Sequence, residues 1–364
     1  MSDSTPGTAL IHRLGQSIWV DNITRTMLDE GVLERYIRDW KVTGLTSNPT
    51  IFQKAIADGD AYDGSIRTLL AEGCSGERLF FKLAIEDLSR AADLFRGVHR
   101  ETDGVDGWVS LEVSPTLAND TEATLAQARE LHAAAGRSNL FIKVPGTPEG
   151  LPAIEQLTYE GIPVNVTLLF SREQYLAAAD AYLKGLERRL HEGLDLKVCS
   201  VASLFISRWD KATESDLPED LRNRLGIAIG QRCYAAFTDL LQSTRFQALK
   251  AAGARPQRLL FASTGVKDPS LPGAYYVTAL AAPETVNTMP ENTLESTAAL
   301  REVPGAQPAD GGTCEAMLDR ISAAGVDLDA LGERLQIEGR DAFDASWSSL
   351  LSDLGRKSAA VGAA

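Results

Sequence analysis

Cysteine and histidine are scarce in this sequence, four of each among 364 residues. Cys74, Cys199, Cys233 and Cys314 stand far apart with no C-x-x-C spacing, which excludes a dense disulfide framework and the common zinc sites. They are expected to be mostly buried thiols. His12, His99, His132 and His191 form no H-x-x-H pair and none ends a strand-like run, so a metal centre lacks its usual ligands. Neither a metal nor a cofactor is expected. Basic residues are also in deficit, 36 against 50 acidic ones, for a net charge of -14. With no Lys/Arg run to offset it, that balance excludes nucleic acid and anionic membrane as partners. An anionic small molecule remains admissible if a few positioned cations hold it in a pocket. Long apolar runs are missing too: no stretch approaches twenty residues, and the N-terminus lacks a basic start followed by an apolar core. A cytoplasmic protein without a membrane span is expected. The oligomeric state, a homo-oligomer included, is left open.

What is present is a core-forming share of hydrophobic residues, 44%, enough for one large domain or two ordinary ones. Short β-branched and apolar runs alternate with helical patterns. The strand candidates are SIWVD (17–21), VTGLTSN (42–48), GWVSLEV (107–113), NLFIKVP (139–145), PVNVTLLF (163–170), KVCSVASLFI (197–206), RLLFAST (258–264) and TVNTM (285–289). Each reads as a buried parallel strand followed by helical sequence. Thr50 with Gln53 and Ser171 with Gln174 have capping-box spacing, and Thr147 before Pro148 suits a helix start. Eight such units predict an α/β fold of the (β/α)8 TIM-barrel type, which leaves no sheet edge to protect. No G-x-G-x-x-G or P-loop follows the first strand, which argues against a nucleotide-binding sheet. Additional helices are expected between the second and third strands and at the C-terminus. The reading is a single domain over 1–364, with barrel strands at about 17–290, a helical extension at about 291–357 and a frayed tail at 358–364.

In this architecture the site lies at the carbonyl ends of the strands, and polar residues collect there. Asp21 ends the first run, Asn48 the second; Glu112 lies late in the third and Lys143 in the fourth. Asn165 and Thr167 share a face of the fifth by their two-residue spacing. Ser203 and Ser263 continue the set in the sixth and seventh. Taken singly, most have structural explanations. Asp21 suits a helix cap, Asn48 before Pro49 a turn, Asn165 and Thr167 satisfied layer-filling groups, and Ser263 a turn or cap. Glu112 and Lys143 belong to types rarely buried without a partner, so one structural ion pair would account for both. Coincidences in seven separate strands are harder to accept than one shared site.

A buried lysine among carboxylates, amides and hydroxyls, without histidine or metal, suits covalent catalysis on a ketone. The amine attacks the carbonyl to give an imine, whose protonated form draws electrons from the adjacent carbon–carbon bond. Imine formation needs a neutral amine, which dry neighbours favour and an adjacent carboxylate opposes.

The segments VDNITR (20–25), LTSNPTIF (45–52), VSLEV (109–113), FIKVPGT (141–147), VNVTLLFS (164–171), SVASLFISRWD (200–210), FASTG (261–265) and TVNTMP (285–290) together resemble the transaldolase family. The match runs in order over roughly residues 15 to 340. The resemblance implies transfer of a dihydroxyacetone unit from sedoheptulose 7-phosphate or fructose 6-phosphate to an aldose phosphate, in the non-oxidative pentose phosphate pathway. It implies Lys143 as the Schiff-base nucleophile and Asp21 as the group that exchanges a proton with the donor's C4 hydroxyl. Glu112 and Thr167 would hold the proton-shuttling water, Asn48 and Asn165 the dihydroxyacetone hydroxyls, and Ser203 and Phe205 the pocket wall. Arg208 and Ser263 match the phosphate-binding positions, although a surface ion pair with Asp210 or a neighbour would equally explain Arg208. Many family members carry an arginine two residues beyond the serine aligned with Ser263. Here that position is Gly265, and Lys267 follows as a candidate second cation.

Two other functions stay open at this stage. One is a Schiff-base aldolase that releases free dihydroxyacetone. The other is a phosphosugar-binding barrel without turnover, against which the set Asp21, Glu112 and Lys143 argues, because binding alone needs no buried amine.

Overall fold

The computed structural model describes residues 5–57 and 59–362. Eight parallel strands follow one another: β1 (Ser17–Asp21), β2 (Val42–Thr46), β3 (Val109–Glu112), β4 (Leu140–Pro145), β5 (Val164–Leu169), β6 (Ser200–Phe205), β7 (Gln257–Ala262) and β8 (Val286–Met289). Their order in the sheet is β2-β1-β8-β7-β6-β5-β4-β3. The remaining seam, between β2 and β3, closes through a parallel bridge from Gly44 to Trp108, with Leu45 N–H donating to Trp108 O at 2.9 Å. This is the (β/α)8 barrel expected from the alternating runs.

The seam explains the glycine in VTGLT. A Cβ on Gly44 would lie 2.6 Å from the Trp19 ring and 2.7 Å from Trp108 O. With hydrogen there, strands and ring close up. Trp19, Trp108 and Phe141 then fill the amino-terminal end of the barrel; the Trp108 and Phe141 rings stack with centroids 4.1 Å apart. Asp106 anchors this plug by accepting from Trp19 Nε1 at 2.7 Å.

Ser171 and Gln174 form the expected capping box at the start of the helix Arg172–His191. The Thr50 expectation is corrected. The helix Pro49–Ala57 is capped by Asn48, whose Oδ1 accepts from Ile51 N–H at 3.1 Å. Pro49 fits at the first helical position because its missing N–H would have no helical partner, so the start lies two residues earlier than the Thr50 box requires. Thr147 Oγ1 accepts from Gly150 N–H at 3.1 Å, at the foot of the helix Gly150–Glu160.

The connection between β2 and β3 holds the helices Pro49–Ala57, Asp63–Ala71 and Gly76–Glu101. They cradle the last helix, Leu328–Gly362, whose Trp347 packs edge-on to Phe80 with centroids 4.9 Å apart. Polar clamps run alongside: Thr50 Oγ1 donates to Ser346 Oγ at 2.9 Å and Gln53 Nε2 to Asp353 Oδ2 at 2.8 Å. The expected fraying from 358 is corrected, since the helix continues to Gly362 with Val361 buried. Apolar contact holds those last turns, which composition alone does not reveal. Residues 363–364 lie outside the described residues. No helix among the described residues is long and apolar enough to cross a membrane.

Candidate active site

Register brings the polar residues together. Glu112 pairs with Lys143 across β3 and β4, and Lys143 with Asn165 across β4 and β5. The period of two turns Phe141 and Lys143 to the same side of β4. Phe141 joins the aromatic plug, and Lys143 stands one layer higher, facing the open end.

The Lys143 amine is 5% exposed as a residue and donates to Ser47 O at 3.0 Å and Glu112 Oε2 at 3.1 Å. The ion-pair explanation thus describes a real contact. Burial pushes the Glu112 carboxyl above its ordinary range, Lys143 pulls it down, and Asp21 adds a smaller upward push. Asp21 is also pushed up by burial, against the hydrogen bond from Thr46 Oγ1 at 2.6 Å and the attraction of Lys143. The helix that follows β1 is capped by Thr24 through Met27 N–H, so Asp21 is not its cap. Its carboxylate faces the barrel interior instead.

A cavity of about 160 Å³ opens at this end. Asp21, Asn48, Lys143, Thr167, Ser203, Phe205, Arg208, Ser263 and Lys267 all line it. Glu112 and Asn165 do not, and Glu112 meets the cavity through Lys143. The Asn165 amide donates to Ser110 Oγ at 3.1 Å and its oxygen accepts from Ser203 Oγ at 2.7 Å. In this arrangement both ends of the Asn165 amide have protein partners. Thr167 differs: its Oγ1 is buried with no hydrogen-bond partner among the described residues. An unpaired buried hydroxyl is costly, and this one sits where a ligand atom would satisfy it.

The opposite wall is cationic. Arg208 has no carboxylate within ion-pair distance among the described residues, and burial lowers its pKa from the usual arginine range. Asp210 is not its partner, because Asp210 accepts from the Leu225 and Gly226 amides and from Tyr276 Oη at 2.9 Å, and of the neighbouring carboxylates Glu338 attracts Arg208 without an ion-pair contact. Burial pushes the Asp210 carboxyl up to about 6. The Arg208 guanidinium instead lies 5.2 Å from the Phe205 ring centroid. Ser263 takes up a left-handed φ of 55° and its hydroxyl lies 3.1 Å from Ser207 Oγ. Its turn and its place in the cavity wall are therefore one feature. Gly265 and the exposed Lys267 complete this side of the mouth.

The sequence reading missed Thr46, Thr288, Pro290 and Phe343 among the lining residues. Thr46 had a signal, since it precedes Asn48 by two residues and so shares its face; its hydroxyl meets Thr288 Oγ1 at 2.7 Å. Phe343 had none. It comes from the last helix and places its ring centroid 6.0 Å from Lys143 Nζ, roofing the cavity. Among the described residues no group of three or more His, Cys, Asp or Glu side chains is placed to hold a metal.

Fold and pocket together define the class of (β/α)8 barrels that carry a buried lysine amine at the carbonyl ends of their strands. Within that class the chain belongs to the transaldolase/fructose-6-phosphate aldolase family, whose model matches residues 18–354. It is 46% identical to the transaldolase of Thermobifida fusca over 355 residues, covering 95% of this chain and 96% of that protein. Identity to the transaldolase of Saccharopolyspora erythraea is 46% over 345 residues, 93% of each chain. The transaldolase of Mycolicibacterium smegmatis is 43% identical over 355 residues, covering 95% of this chain and 96% of that protein.

Proposed function

We propose that the protein is a transaldolase acting through a Lys143 Schiff base. It moves a dihydroxyacetone unit from sedoheptulose 7-phosphate or fructose 6-phosphate to glyceraldehyde 3-phosphate or erythrose 4-phosphate, in the non-oxidative pentose phosphate pathway. The observation that carries this reading is the Lys143 amine, buried and bonded to Glu112 at the floor of a cavity whose far wall holds Arg208. A phosphorylated ketose has a carbonyl near one end and a dianion at the other, and the cavity is polarised to match.

The amine attacks the donor's ketone carbon to form a carbinolamine, which loses water to leave the imine. Glu112 and Thr167 stand beside the amine for the proton transfers through water. Asp21 takes the proton from the C4 hydroxyl as the C3–C4 bond breaks, and the bonding electrons pass into the imine as an enamine. The aldose phosphate departs. The enamine carbon then attacks the acceptor aldehyde, Asp21 returns the proton to the new hydroxyl, and water releases the ketose from Lys143. A carboxyl held above its ordinary range is a better base than a freely solvated one. Asn48 and Asn165 hold the hydroxyls of the three-carbon unit, and Ser203, which donates to Asn165, lines the pocket with Phe205. Arg208, Ser263 and Lys267 bind the phosphate, with Arg208 offering a two-point grip. Lys267 stands in for the cation that Gly265 does not provide. We place this activity in the cytoplasm.

The decisive experiment reduces the protein with borohydride in the presence of fructose 6-phosphate and maps the adduct. The expected result is a sugar-derived mass on the peptide containing Lys143; an adduct on another lysine, or none, overturns the reading. The matching family also includes fructose-6-phosphate aldolases, so release of free dihydroxyacetone is the second reading. Turnover dependent on erythrose 4-phosphate supports transfer, and rapid dihydroxyacetone release without an acceptor supports the aldolase.

A further inference from the structure

The last helix does more than roof the cavity. Its Gln336 Nε2 donates to two backbone carbonyls at once, Gly146 O at 3.1 Å and Leu168 O at 2.9 Å. Gly146 follows the end of β4 and Leu168 is the penultimate residue of β5, just beyond Lys143 and Thr167 respectively. Leu168 is not an ordinary strand residue: its φ is +60°, and the β5–β6 register shifts between Val166 and Leu169. A side chain in the left-handed region carries a conformational cost, and such residues persist where neighbours hold them in place. Bulges next to sites re-aim adjacent side chains. Here the adjacent residue is Thr167, whose buried hydroxyl lines the cavity without a protein partner.

We propose that Gln336 is a positioning residue of this site: its double hydrogen bond locks the left-handed turn at Leu168 and thereby aims the Thr167 hydroxyl at the Lys143 amine. The inference rests on the Schiff-base reading. Gly146 N–H also donates to Thr167 O at 2.7 Å, so one amide side chain ties both strand ends into a single unit. A helix residue separated by 190 and 168 residues from its two contacts therefore sets the distance between nucleophile and hydroxyl.

The test measures the rate of borohydride trapping of fructose 6-phosphate on Lys143 in the full-length chain. Gln336→Met keeps the length and removes the donor, and Gln336→Glu sets an acceptor against two carbonyl oxygens. Both are expected to trap about 10- to 100-fold more slowly, the size of effect a displacement near 1 Å produces, with kcat falling more than KM rises. The double variant Thr167→Val/Gln336→Met is expected to trap no more slowly than Thr167→Val alone, because Gln336 acts through Thr167. Parental trapping rates in both Gln336 variants, or losses that multiply in the double variant, overturn the role. Failure of the parent chain to form any Lys143 adduct overturns the proposed function and this inference with it.

Discussion

Lys143 Nζ and Glu112 Oε2 lie 3.1 Å apart across β3 and β4, where the two residues are register partners. Neither can leave without stranding the other in a dry setting. Glu112→Gln keeps the shape and a hydrogen-bonding oxygen but loses the capacity to carry a proton through its carboxylate. Turnover is expected to fall about 10²- to 10⁴-fold, the usual worth of a positioned acid–base group. Presteady-state trapping on Lys143 should slow by the same factor, which places the loss before carbon–carbon cleavage. Equal trapping rates with slower turnover would remove Glu112 from imine formation.

Thr46 donates to the Asp21 carboxylate, which favours its charged form. Removing that bond in Thr46→Val raises the Asp21 pKa further, so more acid conditions protonate the base sooner. The acid limb of kcat/KM against pH should move to higher pH, with little change at the plateau. A limb that stays in place, or moves down, would assign it to another group.

Arg208 and Lys267 test the phosphate wall. Losing a charge-assisted hydrogen bond costs about 1.5–3 kcal/mol, so Arg208→Ala should raise KM for fructose 6-phosphate by roughly 10- to 100-fold. Its use of unphosphorylated fructose should be unchanged. Lys267→Ala should show the same selectivity with a smaller effect, because solvent screens an exposed cation. Equal losses on both donors would argue against a phosphate role for either residue.

Gly339 lies where the last helix meets Arg208. A Cβ there would sit 3.1 Å from Leu168 Cδ2, 3.2 Å from Arg208 Nη1 and 3.3 Å from the Phe170 ring. Gly339→Leu should therefore displace the guanidinium and raise KM for phosphorylated donors several-fold. Gly339→Ala should do so less. The melting temperature separates this from global damage: a variant with parental Tm and parental KM would show that Arg208 yields freely.

The runs that became strands were legible because burial on both faces demands unbroken apolar sequence, and SIWVD appears as β1 without a change of boundary. Lys143 and Glu112 stood out by the same logic, as charges where water is excluded. The seam at Gly44 was not legible, since its reason is the Trp19 ring beside it. Nor was the Asn48 cap, which sequence spacing assigned to Thr50.

Local periodicity and the misfit of charge in apolar strands were thus enough to determine the barrel, the end at which its polar residues collect and the buried amine among them. Those features follow from a residue's own solvation and from near neighbours in the chain. Only the folded molecule decided that Phe343 roofs the cavity, that Gln336 bonds to the turn beside Thr167, and that Arg208 lines the cavity with Glu338 of the last helix as its nearest charge influence and no carboxylate in ion-pair contact among the described residues. Each depends on a helix near the C-terminus meeting strands far earlier in the sequence, a contact made by packing that leaves no periodic trace.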